Sequence, residues 1–261
     1  GHVEVGTLTP RPQTGNPRPR IFRLPGDEAL INRMGFPNGG VAAAVSRLRA
    51  LARRRDTVLG VSLGKQKETP LAEAAADYVA VMRAVYPYAD YLAVNISSPN
   101  TPGLRELQGG RYLEALLAEL VAESRALAAQ AGIAPRPLWV KIAPDLTSAE
   151  LDEVLAALLA AGADGIIATN TTLARDGLRD TRRTEAGGLS GRPLRQRSTE
   201  LIAAIHQRTG GALPIIGVGG VATADDAREK MDAGAAVVQL YSALIYGGPR
   251  LPGRILRALA V

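Results

Sequence analysis

The chain has 261 residues, a formal net charge of +6, two histidines and no cysteine. That length suits one large domain with an ample core. The lack of cysteine excludes a disulfide framework, a thiolate metal site and a cysteine nucleophile, and His2 and His206 alone argue against a His-rich metal site. Arginines are scattered: Arg18, Arg20, Arg23, Arg53, Arg54, Arg55, Arg182, Arg183, Arg195 and Arg197. Without an aromatic-interleaved basic motif they read as a solvated surface rather than a nucleic-acid face, while an anionic ligand or membrane surface stays compatible with the charge. No stretch is apolar enough to span a bilayer, and no signal peptide is visible. The chain starts at Gly1 without an initiator methionine and reads as a fragment or processed product.

In chain order, residues 2–6 form a short strand, followed by a Pro-rich loop over 7–19. A polar, Gly-containing loop over 32–40 opens an Ala-rich helix over 40–54. The apolar run 58–63 is the next strand, with a loop over 64–70 and a helix to about residue 86. The run 90–95 reads as a buried strand that breaks at Pro99, Pro102 and Gly103. A helix over about 110–131, a strand over 137–142 containing Lys141, and a helix over 148–161 capped by Thr147 or Ser148 come next. Residues 165–170 are a further strand ending in Thr169, Asn170, Thr171 and Thr172. A long loop holding residues 187–193 leads to a helix over 195–208, a strand over 214–218, a helix over 223–233, a strand over 236–240 and a final helix from near Pro252.

Strand and helix alternate, and the strands are near-continuous apolar runs, as a parallel sheet covered by helices on both faces requires. Units repeat about every thirty-five residues, which favours a (β/α)8 TIM barrel over an open α/β sheet. Only about seven strands can be counted, where closure needs eight. The expectation is therefore one barrel domain over 1–261 whose first β/α unit lies upstream.

Barrel enzymes place their chemistry at the C-terminal ends of the strands. Asn95, Ser97, Ser98, Asn100 and Thr101 follow one such strand, though the same residues also make an ordinary Asx/Pro turn. Asn32, Asn95, Asn100 and Asn170 could together read the alternating carbonyl and N–H edge of a pyrimidine-like ring. Gly217–Gly220 and the Tyr241–Ser242 segment follow the last two strands, the usual place for a phosphate in this fold. Lys141 is a charge within an apolar strand. It either favours an anion at the barrel mouth or pairs with a core carboxylate such as Asp145.

Six stretches carry a resemblance: NRMGF from Asn32 to Phe36, NISSPNTPGLR from Asn95 to Arg105, VKIAPD from Val140 to Asp145, ATNTT from Ala168 to Thr172, GGLSGRP from Gly187 to Pro193, and GVGG from Gly217 to Gly220. In this order and spacing the chain resembles the class 2, quinone-dependent dihydroorotate dehydrogenases. The resemblance implies FMN at the barrel mouth and oxidation of (S)-dihydroorotate to orotate in pyrimidine biosynthesis. A base takes a proton from C5, a hydride leaves C6 for the flavin, and ubiquinone or menaquinone receives the electrons. It implies Ser98 as the base, where class 1 enzymes use a cysteine, assisted by Thr101 and Phe36 because a serine hydroxyl is a poor base at neutral pH. It places Asn32, Arg33, Met34, Gly35, Phe36, Asn95, Asn100, Asn170 and Thr171 on the substrate. It places Thr7, Ser62, Asn95, Lys141, Thr169, Gly191, Gly220, Tyr241 and Ser242 on FMN, with Lys141 stabilising the anionic reduced flavin. No metal is implied. Location is implied to be peripheral, on the cytoplasmic face of the bacterial inner membrane.

The chain departs from the family pattern in three ways. Ser62 stands where the family usually has an Asn touching FMN. The Gly-rich first-strand segment, with a Lys on FMN and the orotate carboxylate, is absent, and so is the N-terminal helical extension that contacts membrane and quinone. The 261 residues alone are accordingly expected to bind FMN poorly and to reduce quinone inefficiently. Rival readings are a class 1 dihydroorotate dehydrogenase, a tRNA-dihydrouridine synthase, and a non-catalytic phosphate- or flavin-binding module.

Overall fold

The computed structural model describes residues 1–51 and 56–260. In chain order the strands and helices are β1 (His2–Leu8), β2 (Ile21–Leu24), β3 (Ala29–Asn32), α1 (Gly40–Leu51), β4 (Val58–Leu63), α2 (Ala74–Val85), β5 (Tyr91–Asn95), α3 (Gly110–Ala131), β6 (Leu138–Ile142), α4 (Ser148–Ala161), β7 (Gly165–Ala168), β8 (Gly188–Gly191), α5 (Arg195–Thr209), β9 (Ile215–Val218), α6 (Ala224–Asp232), β10 (Val237–Gln239), α7 (Ala243–Gly247) and α8 (Leu251–Leu259). The expected helix over 40–54 runs to Leu51; its last residues, with Arg53, Arg54 and Arg55, lie outside the described residues.

Seven strands form one parallel sheet in the order β1-β4-β5-β6-β7-β9-β10. This is the barrel sheet expected from the alternation of short apolar runs with helices. It is open: among the described residues β1 and β10 are its two edges, where closure of this fold takes eight strands. Period-two alternation divides each strand between two cores. Leu92 and Val94 of β5, Val140 and Ile142 of β6, and Ile166 and Ala168 of β7 face the helices, where they pack with Tyr78, Met82, Leu117, Leu120, Leu158 and Ile202. The intervening Tyr91, Ala93, Trp139, Ile167, Ile216 and Val218 make a separate inner cluster. Asn95 and Lys141 share the inward phase of Tyr91, Ala93 and Trp139, and they are register partners across β5 and β6. A polar residue at the last inward position of such a strand faces the barrel mouth.

Two features of the sequence reading change. A second sheet of three antiparallel strands, β2-β3-β8, was not expected: β8 lies inside the expected long loop, and β2 and β3 fall in a stretch to which the sequence reading gives no element. Its register sets Asn32 opposite Gly188 and Ala29 opposite Gly191. The α4 cap is Thr147, whose side chain accepts from Glu150 N while Glu150 reaches back to the Thr147 N–H, a reciprocal capping box.

Candidate active site

The strand ends bring the expected amides together. Asn95 Nδ2 donates to Thr7 Oγ1 at 2.9 Å, and Thr7 Oγ1 lies 3.0 Å from Ser62 Oγ. Asn170 Nδ2 donates to Asn95 Oδ1 at 3.2 Å and to Ser97 Oγ at 3.0 Å. Asn100 Nδ2 donates to Asn32 Oδ1 at 3.1 Å, joining the β5 loop to the second sheet. Among the described residues this pair leaves Asn32 Nδ2 and Asn100 Oδ1 without a protein partner. An open N–H and an open carbonyl on two joined amides are the groups that an amide edge of a flat neutral ring calls for.

Ser98 is buried at the tip of the same loop, and its Oγ accepts from Asn100 N at 3.2 Å. No histidine or carboxylate bonds it among the described residues. The hydroxyls of Thr101 and Thr171 are both buried and both lack a partner. Phe36 holds a left-handed backbone at φ 51°, and its ring lies beside Gly64 and close to Thr7. Met34 and Gly35 turn their carbonyls to Asn16 N and Gln13 Nε2, at 2.9 Å and 2.8 Å. The Arg33 side chain pairs with Glu185 at 2.7 Å and lies over the Phe22 ring at 4.6 Å, so its polar reach is spent on neighbours in the loop.

On the side expected to hold a cofactor, Lys141 Nζ lies 3.4 Å from Gln239 Oε1 and 3.6 Å from Glu4 Oε1. The expected alternative partner, Asp145, is engaged elsewhere, and the carboxylate facing Lys141 is Glu4 of β1. Inward phase decides this: Asp145 lies beyond the strand, past Pro144, whereas Glu4 projects from a neighbouring inner face. Both contacts are long, which leaves the ammonium available to a further anion. Thr169 is buried, with its N–H on Val218 O at 2.7 Å. Gly191 ends β8 at φ 99°. Ser242 Oγ bonds Ser190 Oγ at 2.7 Å, and Tyr241 beside it is exposed. Gly220 turns between β9 and α6 at φ 72°.

Three connections were not foreseen. Asn16 Nδ2 bridges Arg33 O and Asn100 O, each at 3.1 Å, and Lys67 Nζ reaches Asn16 Oδ1 at 3.2 Å. In sequence, Asn16 between Gly15 and Pro17 reads only as a turn. Arg105 donates to Ser97 O at 3.0 Å, Asp145 Oδ2 at 2.7 Å and Thr171 O at 2.8 Å, tying the ends of β5, β6 and β7. Thr172 Oγ1 closes the same knot on Asp145 Oδ1. The signal for Arg105 was its place inside the polar loop motif.

The dihydroorotate dehydrogenase family profile matches residues 1–261. The chain is 54% identical over 260 residues to the dihydroorotate dehydrogenase (quinone) of Roseiflexus sp. (strain RS-1), covering 100% of this chain and 70% of that protein. It is 53% identical over 261 residues to the protein of the same name from Alkalilimnicola ehrlichii, covering 76% of it. The crystal structure of DHODH from Eimeria tenella in complex with ferulenol superposes with a TM-score of 0.92 at 42% identity, over 99% of this chain and 74% of that one. An open parallel barrel sheet with amides converging on its strand ends is thus found in a chain that belongs to the dihydroorotate dehydrogenase family, in its quinone-dependent type.

Proposed function

We propose that the described residues belong to one barrel domain that, in the complete protein, binds FMN and oxidises (S)-dihydroorotate to orotate, with Ser98 as the base and a membrane quinone as final acceptor. The open Asn32 Nδ2 and Asn100 Oδ1 pair, next to buried Ser98, carries this reading. Its donor and acceptor match the amide edge of the dihydroorotate ring, and Asn95, Asn170 and Thr171 line the same strand ends. Asn16, held between Arg33 O and Asn100 O, fixes the loop that carries Asn32.

The residues present fit FMN. Lys141 is a weakly paired cation at the inner strand end, the turn after β9 supplies the glycine backbone of Gly219 and Gly220 for a phosphate, and Tyr241 and Ser242 follow β10. Thr7, Ser62, Asn95, Lys141, Thr169, Gly191, Gly220, Tyr241 and Ser242 would hold it. FMN held there would supply the acceptor for the substrate's C6 hydride and the link to quinone.

The protein's own part is proton transfer and positioning. Ser98 removes the C5 proton as the C5–C6 double bond forms. The Asn100 N–H fixes the Ser98 oxygen, and Thr101, whose hydroxyl is free, passes the proton outward through water. Phe36 covers the site from the Gly64 side and limits solvent. Lys141 offers positive charge to the reduced cofactor. Attachment is peripheral, on the cytoplasmic face of the bacterial inner membrane, because quinones reside in the bilayer. Among the described residues no helix is long and apolar enough to cross it.

Ser98→Ala in the complete protein tests the assignment. Loss of a general base lowers turnover by about 100-fold or more, while the visible flavin spectrum and orotate binding stay as in wild type. Unchanged turnover would reduce Ser98 to a turn residue.

A further inference from the structure

Behind the turn between β9 and α6 lies a buried cation that the chemistry above does not use. Lys230 of α6 is fully buried. Its Nζ donates to Ser198 Oγ at 2.6 Å, Thr199 Oγ1 at 2.9 Å and Arg195 O at 3.2 Å, all in the first turns of α5. None is a carboxylate, although buried lysines are as a rule paired. Nearby Asp226 is taken by Arg195 Nη1 at 2.6 Å and by the N–H groups of Ala222 and Thr223. A helix N-terminus also disfavours a cation. Burial pushes the ammonium down to about 8, so it remains protonated at neutral pH. Asp226 and Glu229 of α6 favour its charge from nearby, but neither bonds it.

Ser198 is the link. Its Oγ accepts from Lys230 and has one proton to give. Arg195 O, 2.9 Å away, already receives Lys230 and Thr199, which leaves Gly219 O at 3.0 Å. Across a trans peptide the N–H points opposite the carbonyl, so anchoring Gly219 O against α5 aims the Gly220 N–H outward. Among the described residues the Gly219 and Gly220 N–H groups donate to no protein atom. A Cβ at Gly219 would lie 2.8 Å from Ser198 Oγ, and one at Gly220 2.5 Å from Arg195 Cβ, so this close seating requires glycine.

We propose that Lys230 is a positioning residue for the phosphate of FMN: through Ser198 it fixes the Gly219–Gly220 peptide with its N–H outward, and it sets a buried positive charge behind that turn. The proposal rests on FMN being the cofactor. Apoprotein of the complete chain is titrated with FMN and with riboflavin, which lacks the phosphate, following flavin fluorescence. Wild type, Lys230→Met and Ser198→Ala are compared, with the Tm of each. The FMN Kd rises about tenfold or more in Lys230→Met and about threefold in Ser198→Ala, in line with loss of a charge and of a hydrogen bond. The riboflavin Kd stays within about twofold, and the Tm of Lys230→Met does not fall. Equal weakening of FMN and riboflavin, or no change in either, overturns the proposal. If Lys230→Met does not fold, Ser198→Ala decides by the same comparison. A wild type that binds neither flavin contradicts the cofactor reading itself.

Discussion

Tyr78 lies on α2 within the outer core, yet its hydroxyl donates to Asn95 O at 2.9 Å. Burial pushes its phenol up, so it stays a donor throughout the neutral range. Tyr78→Phe keeps the packing and orphans a buried carbonyl. It should lower unfolding stability by about 1–3 kcal/mol, read by denaturant titration. Asn95 itself was legible as a candidate residue, because a polar group ends an apolar strand of known phase. Tyr78 was not: an apolar stripe of a helix looks the same whether its one hydroxyl supports a site or only fills space. Lys141 was legible as an inward charge, but its partner was not, since Glu4 lies more than a hundred residues away on β1 and meets it only across the inner face of the sheet, with β4 and β5 between.

Between elements, Arg105 does for the strand ends what no single loop could. Its guanidinium holds Ser97 O, Asp145 and Thr171 O, so the loops after β5, β6 and β7 move as one. Arg105→Met releases all three while keeping the stem. The KM for dihydroorotate should rise about tenfold, equivalent to about 1.4 kcal/mol, with a smaller fall in kcat and an unchanged far-ultraviolet spectrum. An unchanged KM would show the loops to be set without it.

The contact of α5 with α6 makes a pH-dependent prediction. Burial lowers Lys230 from 10.5 to about 8. Between those values the unfolded chain binds the proton and the folded chain does not, so stability from this group rises with pH across that window. The penalty is fully present below about pH 8 and is relieved toward pH 10.5, by at most about 3 kcal/mol. The unfolding free energy of wild type relative to Lys230→Met should therefore climb from pH 8 to 10.5, measured by urea titration at each pH. A flat difference would mean that Lys230 is not desolvated. In sequence, residues 223–233 read only as a helix, with no hint that its lysine is buried. The antiparallel sheet was equally hidden: β2, β3 and β8 are only four residues each, and in β8 two glycines let turn chemistry outweigh strand propensity.

At the scale of the molecule, alternation of short apolar strands with helices carried the parallel barrel sheet, its strand count and the strand ends on which the candidate residues gather. It did not show how the second sheet covers that end, where the register of β3 on β8 delivers Asn32 to Asn100. Among the rival readings, the class 1 enzyme and the tRNA-dihydrouridine synthase give way to the quinone-dependent family that the relatives define. A non-catalytic flavin or phosphate module is separated from the enzyme by chemistry alone. The decisive measurement is the visible spectrum of the purified complete protein before and after anaerobic addition of dihydroorotate. A flavin band that bleaches, with orotate formed in equal amount, is the predicted result, and it joins cofactor, substrate and hydride transfer in one observation. A flavin band that dihydroorotate leaves untouched, or a protein that stays colourless after reconstitution with FMN, would contradict the account.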